Sequence, residues 1–259
     1  MIDQPFLLAS RPVRVSEASL ELASSPAENL TNDNMDMAWR SFNLNAPYVV
    51  LETSGAVDTI GILHTNQRAG DTVRIRAANS PADALTAPVW DSGELPAYVG
   101  ALREPYTAKT LIDVPSVSAT YWRFDFRSPE HPSGQVEVSR IVMGERFVID
   151  SGIDYEWSKG VVDDSTLLAG PNYEDVIEYA SRPKVKASFG GMSEALFNQL
   201  DAFMMRVGTK VPVLFAPEPD NLDAAQQWTV YGRVKVLFEG MNMFHNLWDS
   251  DIEIAGLKA

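Results

Sequence analysis

Three histidines, His64, His131 and His245, are the residues in this chain best suited to proton transfer near neutral pH. They lie far apart in sequence and none stands in a catalytic motif. There is no Gly-x-Ser-x-Gly elbow and no pair of histidines at helical spacing to hold a metal. A Ser-His-Asp arrangement assembles from distant residues, so the sequence leaves that possibility open; the plainer reading is three loop or strand-edge histidines. The adjacent acids Asp163-Asp164 and Glu174-Asp175 invite comparison with glycoside hydrolysis. That chemistry needs two carboxylates facing each other across a sugar, which neighbours on a loop rarely provide. They read as solvated linker acids, so no catalytic residue is assigned and the protein is not read as an enzyme. Hard oxygen ligands for Ca²⁺ are better represented, because Asn29, Asn32, Asp33 and Asp36 cluster before Trp39. Their spacing is not that of an EF-hand, and Asn and Asp are also ordinary turn formers. The four stand as weak calcium candidates only, and no cofactor is assigned.

Composition narrows the field further. The 259 residues include no cysteine, which excludes disulfides, zinc-thiolate sites and cysteine nucleophiles. The formal net charge is −14, and acids outnumber bases in both halves. Nucleic-acid phosphates and anionic membranes would be repelled, so neither is expected as a partner. With 45% hydrophobic residues, the chain has material for two packed cores. The opening residues, Met1-Ile2-Asp3-Gln4-Pro5-Phe6-Leu7-Leu8, lack a basic region and a long apolar run, so no signal peptide is expected. No segment approaches the roughly 20 apolar residues of a membrane-spanning helix.

The elements that would position any site are mostly strands. Residues 48–53 are apolar and β-branched, and residues 73–77 and 122–127 alternate strictly. Trp122, Phe124 and Phe126 share one face of the latter, while Arg123, Asp125 and Arg127 share the other. Residues 135–147 read as one further strand. Together these predict an antiparallel sandwich with one wet face per sheet. A polar stretch over 150–175 reads as the connection between two domains, with a short strand around Tyr155 to Trp157. Strands resume at 184–189, 211–215, 228–236, 241–248 and 251–257. Whether residues 1–15 pack in the first domain or reach across to the second is not decided by local pattern. One helix stands out, at about 193–207. Ser193 caps it, Gly208 ends it, and Leu196, Phe197, Leu200, Phe203, Met204 and Val207 form a single apolar stripe. That stripe is accounted for by packing within its own domain.

Two resemblances follow from these residues. Ser24-Ser25-Pro26-Ala27-Glu28-Asn29-Leu30-Thr31-Asn32-Asp33-Asn34, followed by Met37-Ala38-Trp39-Arg40-Ser41, resembles the opening loop of galactose-binding-like (discoidin-type) jelly rolls. The strands at 49–52, 60–62, 73–76, 121–124 and 136–145 match that fold, although the cysteine pair of discoidin domains proper is missing. The second half is similar to the belt module of tailed-phage distal tail proteins. The likeness rests on the capped helix and on Lys210-Val211-Pro212-Val213-Leu214-Phe215-Ala216-Pro217-Glu218-Pro219-Asp220, a strand running into a proline-rich acidic loop. A final strand over 249–257 completes it.

The resemblances imply a mainly β chain: a galactose-binding-like jelly roll over 1–148, then a β-sandwich or barrel with one α-helix over 149–259. The belt likeness implies a virion structural protein of a siphophage-like tail tip, assembled in the bacterial host cytoplasm. It would form a homo-oligomer, a hexameric ring, joining the tail tube protein to baseplate hub and fibre proteins. Candidate ring contacts are Val213, Phe215, Glu218, Asp220, Met241 and Met243. The jelly-roll likeness implies an alternative, a carbohydrate-binding module for a host cell-surface polysaccharide. An aromatic ring stacks on a sugar's apolar face while polar groups fix its hydroxyls, so Trp39, Arg40, Trp90 and Tyr98 are candidate glycan contacts. Trp39 also falls where the fold places a packing residue, and Trp90 suits a hairpin anchor. A carbohydrate-active enzyme is the weakest alternative.

Overall fold

Strict alternation over Tyr121–Arg127 puts three aromatics on one face, and the computed structural model buries all of them: Trp122, Phe124 and Phe126 are at the centre of the first core. The structure describes residues 2–42, 44–102, 107–154, 157–163, 165–170, 173–177, 181–235, 239–244 and 246–257. His245, Asp164, Tyr155 and Val236 lie outside these.

In chain order, β1 is Phe6–Ala9. The strands that follow are β2 (Arg14–Ala18), β3 (Trp39–Ser41), β4 (Tyr48–Glu52), β5 (Ala56–Thr65), β6 (Thr72–Ala78), β7 (Trp90–Pro96), β8 (Ala108–Ser118), β9 (Tyr121–Arg127) and β10 (Val136–Gly144). A short helix, α1 (Asp83–Thr86), precedes β7. These strands form two antiparallel sheets, ordered β2-β4-β9-β6-β7 and β3-β10-β5-β8. From β2 to β6 the chain changes sheet at every strand, which is how a jelly roll is wound. Both sheets contribute to one core that includes Trp39, Val49, Leu51, Ile60, Ile62, Ile75 and Ile141. The wet face of the first sheet is ordered by ion pairs: Arg76 and Arg123 both reach Asp125, at 2.6 and 2.8 Å.

The second half adds β11 (Arg146–Val148), β12 (Ser158–Val162), β13 (Thr166–Gly170), β14 (Tyr173–Ile177) and β15 (Arg182–Ser193). Then come α2 (Glu194–Val207), β16 (Val213–Ala216), α3 (Leu222–Trp228), β17 (Val230–Val234), β18 (Glu239–Phe244) and β19 (Leu247–Gly256). The large antiparallel sheet runs β11-β1-β16-β17-β19-β15-β12, with β18 also paired to β19. Helix α2 matches the capping pattern closely. Ser193 Oγ accepts from the Leu196 amide at 3.2 Å, and Gly208 ends the helix at φ 53°, its amide reaching Met204 O at 2.7 Å. Leu196, Leu200, Phe203, Met204 and Val207 pack on Val185, Phe189, Phe215 and Ile254 to form the second core. Phe197 stacks on Trp248 with ring centres 4.2 Å apart.

Several expectations are corrected. The strand expected at 228–236 is preceded by α3, capped by Asn221 Oδ1 on the Ala224 amide, and the strand begins only at Val230. The strand expected over 135–147 is two, β10 and β11, in different sheets. The stretch read as a connection, 150–175, carries β12 and the β13–β14 hairpin. Residues 1–15 divide between the halves. Strand β1 lies between β11 and β16, with Leu7 opposite Phe215 and Leu8 opposite Leu214, while β2 joins the first sandwich.

A third apolar cluster joins the halves: Ile2, Phe6, Leu8, Met35, Leu63, Val142, Leu214, Ala216 and Tyr231. Contact here is close enough that a side chain at Gly61 would displace its neighbour. A Cβ on Gly61 would come within 2.9 Å of Leu214 Cδ2. Beside this cluster Asp33 accepts from Tyr231 Oη at 3.0 Å and faces Arg140 at 3.4 Å and Arg233 at 3.5 Å.

Candidate functional site

Where the outer face of the β5, β8 and β10 sheet meets β12, the start of β15 and α3, a cleft of about 490 Å³ is left open. That size lies within the range of small-ligand sites. Its walls carry the basic residues Lys109, Lys159 and Arg182 with His64, and the acids Asp36 and Glu137. Glu137 is engaged by Arg40 at 3.0 Å.

Each basic residue is placed by its element. Lys109 opens β8, and its Nζ donates to Gln226 O at 2.7 Å. Lys159 Nζ donates to the neighbouring carbonyl of Gln227. The last carbonyls of α3 therefore orient both ammonium groups, as helix C-termini do for cations. Gln226 in turn locks the rim, because its amide Nε2 donates to Val99 O at 2.8 Å and its Oε1 accepts from the Lys109 amide at 2.9 Å. Trp228 meets Trp157 edge-on at 5.0 Å, which holds α3 against the start of β12.

His64 occupies a β-bulge. Leu63 pairs with Lys109 and Thr65 with Ala108, so His64 is the extra residue on its strand, at φ 52°. A left-handed backbone is uncommon for a residue with a side chain, and bulges re-aim side chains beside functional sites. The ring turns into the cleft, where burial, and after it the Lys109 charge, holds its pKa down to about 4. It is neutral at physiological pH. Thr229 lines the same cleft. Its hydroxyl is buried and has no hydrogen-bond partner among the described residues. A buried polar atom without a partner is uncommon and costly.

The residues singled out in the sequence are distributed differently. Asn29 turns inward and donates to Ala38 O at 3.0 Å. Asn32 caps the Asn34 amide at 2.9 Å, and Asp33 is taken by Arg140, Arg233 and Tyr231. Asp36 is exposed at the cleft. Among the described residues no group of three or more His, Asp or Glu side chains is placed to hold a metal ion. Trp39 is fully buried, packed against Phe126 at 5.6 Å, with Nε1 donating to Glu21 at 3.1 Å. No face of its ring is left for a sugar. Arg40 is held by Glu137, and Trp90 packs on Trp122 at 6.0 Å as a hairpin anchor. Tyr98 is half-buried on the segment after β7. The four proposed glycan contacts do not converge.

Of the proposed ring contacts, Val213 and Phe215 are completely buried, because β16 runs through the interior of the large sheet between β1 and β17. Glu218 is half-buried and Asp220 exposed in the loop beyond. Met241 and Met243 are exposed on β18, the first at 64%. His131 is structural: its Nε2 donates to Asn66 O at 2.8 Å while Nδ1 accepts from the Ser133 amide at 3.2 Å. Asp163 is exposed and accepts from the Ser165 amide at 2.9 Å, and Asp175 is exposed in β14. No helix is long and apolar enough to cross a membrane among the described residues.

Sequence reasoning singled out His64 and Asp36 but not the cleft that they share. His64, Lys109, Lys159, Arg182 and Thr229 come from five separate stretches of chain, and only the fold juxtaposes them. No local spacing could have announced the site.

No protein-family model and no curated protein sequence matches the chain. Similar solved structures include the C-terminal domain of a chitobiase from Bacteroides fragilis, 14% identical, with a TM-score of 0.40 over 53% of this chain and 96% of that one. CBM32-3 from a family 31 glycoside hydrolase of Clostridium perfringens is 16% identical, with a TM-score of 0.40 over 53% and 94%. Reduced XRCC1, in complex with the DNA polymerase β catalytic domain, is 14% identical, with a TM-score of 0.37 over 52% and 98%. Each likeness spans about half of this chain. The jelly-roll assignment of the first half rests on its own strand order.

Proposed function

We propose that the protein is a structural subunit that assembles in several copies, its second half forming a closed ring of the phage tail-tip kind and its jelly roll facing outward. The observation that carries this reading is the β13–β14 hairpin. It pairs only with itself among the described residues, with Leu167 opposite Val176 and Thr166 opposite Ile177. Leu167 and Val176 lie on one face, Leu168 and Ile177 on the other, and all four are exposed, at 57%, 48%, 42% and 43%. An isolated two-stranded hairpin is marginal in water, and apolar residues on both faces need a second surface. A neighbouring subunit supplies one in a ring, where the same heterologous contact repeats until it closes. Met241 and Met243 are a further exposed apolar pair, on β18.

Light scattering and negative-stain microscopy of the full chain across a concentration series test this. Rings or discrete oligomers that dissociate in the Leu167→Asp, Val176→Asp double variant are expected. A wild-type chain that stays monomeric at the highest concentration overturns the reading.

A second reading, carbohydrate binding, is favoured by the cleft of about 490 Å³ rimmed with polar side chains. A glycan array probed with the full chain tests it, and silence on every host polysaccharide would sink it. The full chain is needed because β1 completes the second sheet rather than the jelly roll.

A further inference from the structure

We propose that the C-terminal end of α2 on the next copy of this chain is the surface that receives the β13–β14 hairpin. This rests on the ring reading and names the two patches that make its contact. The donor face follows from the register. Leu168 is opposite Asp175 and Thr166 opposite Ile177, so these four share one side of the hairpin. Leu168 and Ile177 are 42% and 43% exposed there, and Asp175 is exposed beside them. One Asp175 carboxylate oxygen accepts from the Val176 amide at 2.9 Å. The sequence from Asp163 to Glu178 carries five acids and no base. A surface that takes this arm needs apolar side chains with positive charge among them.

The end of α2 has both. Met205 is 81% exposed, the most of any large apolar side chain described. Val211 is also exposed, and its amide still reaches Val207 O at 3.2 Å, which keeps it against the last turn. Arg206 and Lys210 are their immediate neighbours in sequence, and both are exposed. Arg206 lies over the Phe203 ring, 5.3 Å from its centre; neither cation is in an ion pair among the described residues. Asp201, one turn back on the side of Met205, is the nearest acid in the helix. Met241, Leu222 and Leu20, also exposed, have acids beside them instead. Met241 is opposite Asp249 on β19, Leu222 stands between Asp220 and Asp223, and Leu20 precedes Glu21. Each would set acid against acid, and like charges facing across an interface are costly. Donor and acceptor are different patches, so every copy gives one arm and receives one. That is the head-to-tail arrangement from which rings close.

The chain has no cysteine, so introduced thiols report alone. Leu168→Cys and Met205→Cys are made in separate full-length chains, one of them with a size tag, then mixed and treated with a short bismaleimide. A crosslinked dimer of mixed size is expected on denaturing gels, and none when Met241→Cys replaces Met205→Cys. Light scattering supplies the second arm. The Arg206→Glu, Lys210→Glu double variant should raise the dissociation constant of the assembly at least about ten-fold, and Asp175→Lys added to that chain should recover part of the loss. All three positions are exposed, so the circular dichroism spectrum should stay unchanged and loss of fold is not mistaken for loss of contact. Assemblies that form, give no crosslink between positions 168 and 205 and survive the charge reversal overturn this acceptor and leave the ring reading standing. A chain bearing both thiol substitutions that crosslinks only within itself overturns the exchange between copies. A wild-type chain that stays monomeric at the highest concentration overturns both the acceptor and the ring.

Discussion

Replacing His64 with asparagine removes a ring whose protonation burial resists, while keeping a residue that tolerates the left-handed backbone there. In the folded chain burial, and after it the Lys109 charge, holds the His64 pKa down to about 4; unfolded, it returns to 6.5. Between those values the unfolded chain binds more protons than the folded one, so acid shifts the balance towards unfolding. The stability at stake is fully present above pH 6.5 and is lost as pH falls through 4. The whole interval corresponds to ~3 kcal/mol, of which about 2 kcal/mol is gone by pH 5. Because the side chain keeps some contact with solvent, these are upper values. Urea denaturation at pH 7.5 and pH 5 gives the measurement. The His64→Asn variant should lose about 2 kcal/mol less than wild type between the two, provided other groups titrate alike in both. Imidazole resonances followed by NMR supply the second readout, the variant identifying which signal belongs to His64. Equal losses in the two proteins, or a His64 signal titrating near 6.5, would refute the reasoning.

Burial pushes the Tyr231 hydroxyl up to about 12, so its share of stability holds below pH 10 and fades as pH rises towards 12. Tyr231→Phe should flatten the alkaline limb of a stability–pH curve, at a cost near neutrality of about 1 kcal/mol for the lost bond to Asp33. Thr229→Val removes a buried hydroxyl that has no partner among the described residues and should stabilise the free protein by about 1 kcal/mol in thermal melts; a lower melting temperature would mean that the hydroxyl has a partner. Ser193→Ala deletes the cap of α2 and should cost about 1 kcal/mol in urea titrations. Millimolar Ca²⁺ should leave the melting temperature unchanged, since Asn29 and Asp33 are committed elsewhere; a rise would restore the calcium candidates.

Local pattern was sufficient where local physics decides the structure. Ser193, Gly208 and the spacing of Leu196, Leu200 and Phe203 were enough to place α2 within a residue. Alternation in Tyr121–Arg127 was enough to identify the core face of β9. Pattern failed where distant chain intervenes. Tyr231 alternates with Val230 as a wet-face residue should, yet it is buried because the first sandwich covers that face of the large sheet. The helix α3 was hidden because Trp228 and Val230 read as the start of a strand, although Asn221 offered a cap seven residues earlier. Val213 and Phe215 are candidate ring contacts by sequence, and nothing near them in sequence shows that β1 lies alongside. The candidate glycan ring of Trp39 failed for a related reason: its burial is set by Phe126, on another sheet.

The position of β1 has a consequence for the order of events during synthesis. The ribosome delivers Leu7 and Leu8 roughly two hundred residues ahead of Phe215 and Leu214, the partners they face in the finished sheet. At ordinary elongation speeds that is a wait of roughly ten to forty seconds. Within that wait the jelly roll, whose strands all lie between, can close on itself and β11 can pair one edge of β1, while the other edge stays open. The large sheet is thus timed by its last strands to emerge. A nascent chain stalled before Val213 should expose the open edge of Phe6–Ala9 to proteases and chaperones more than one released past Gly256.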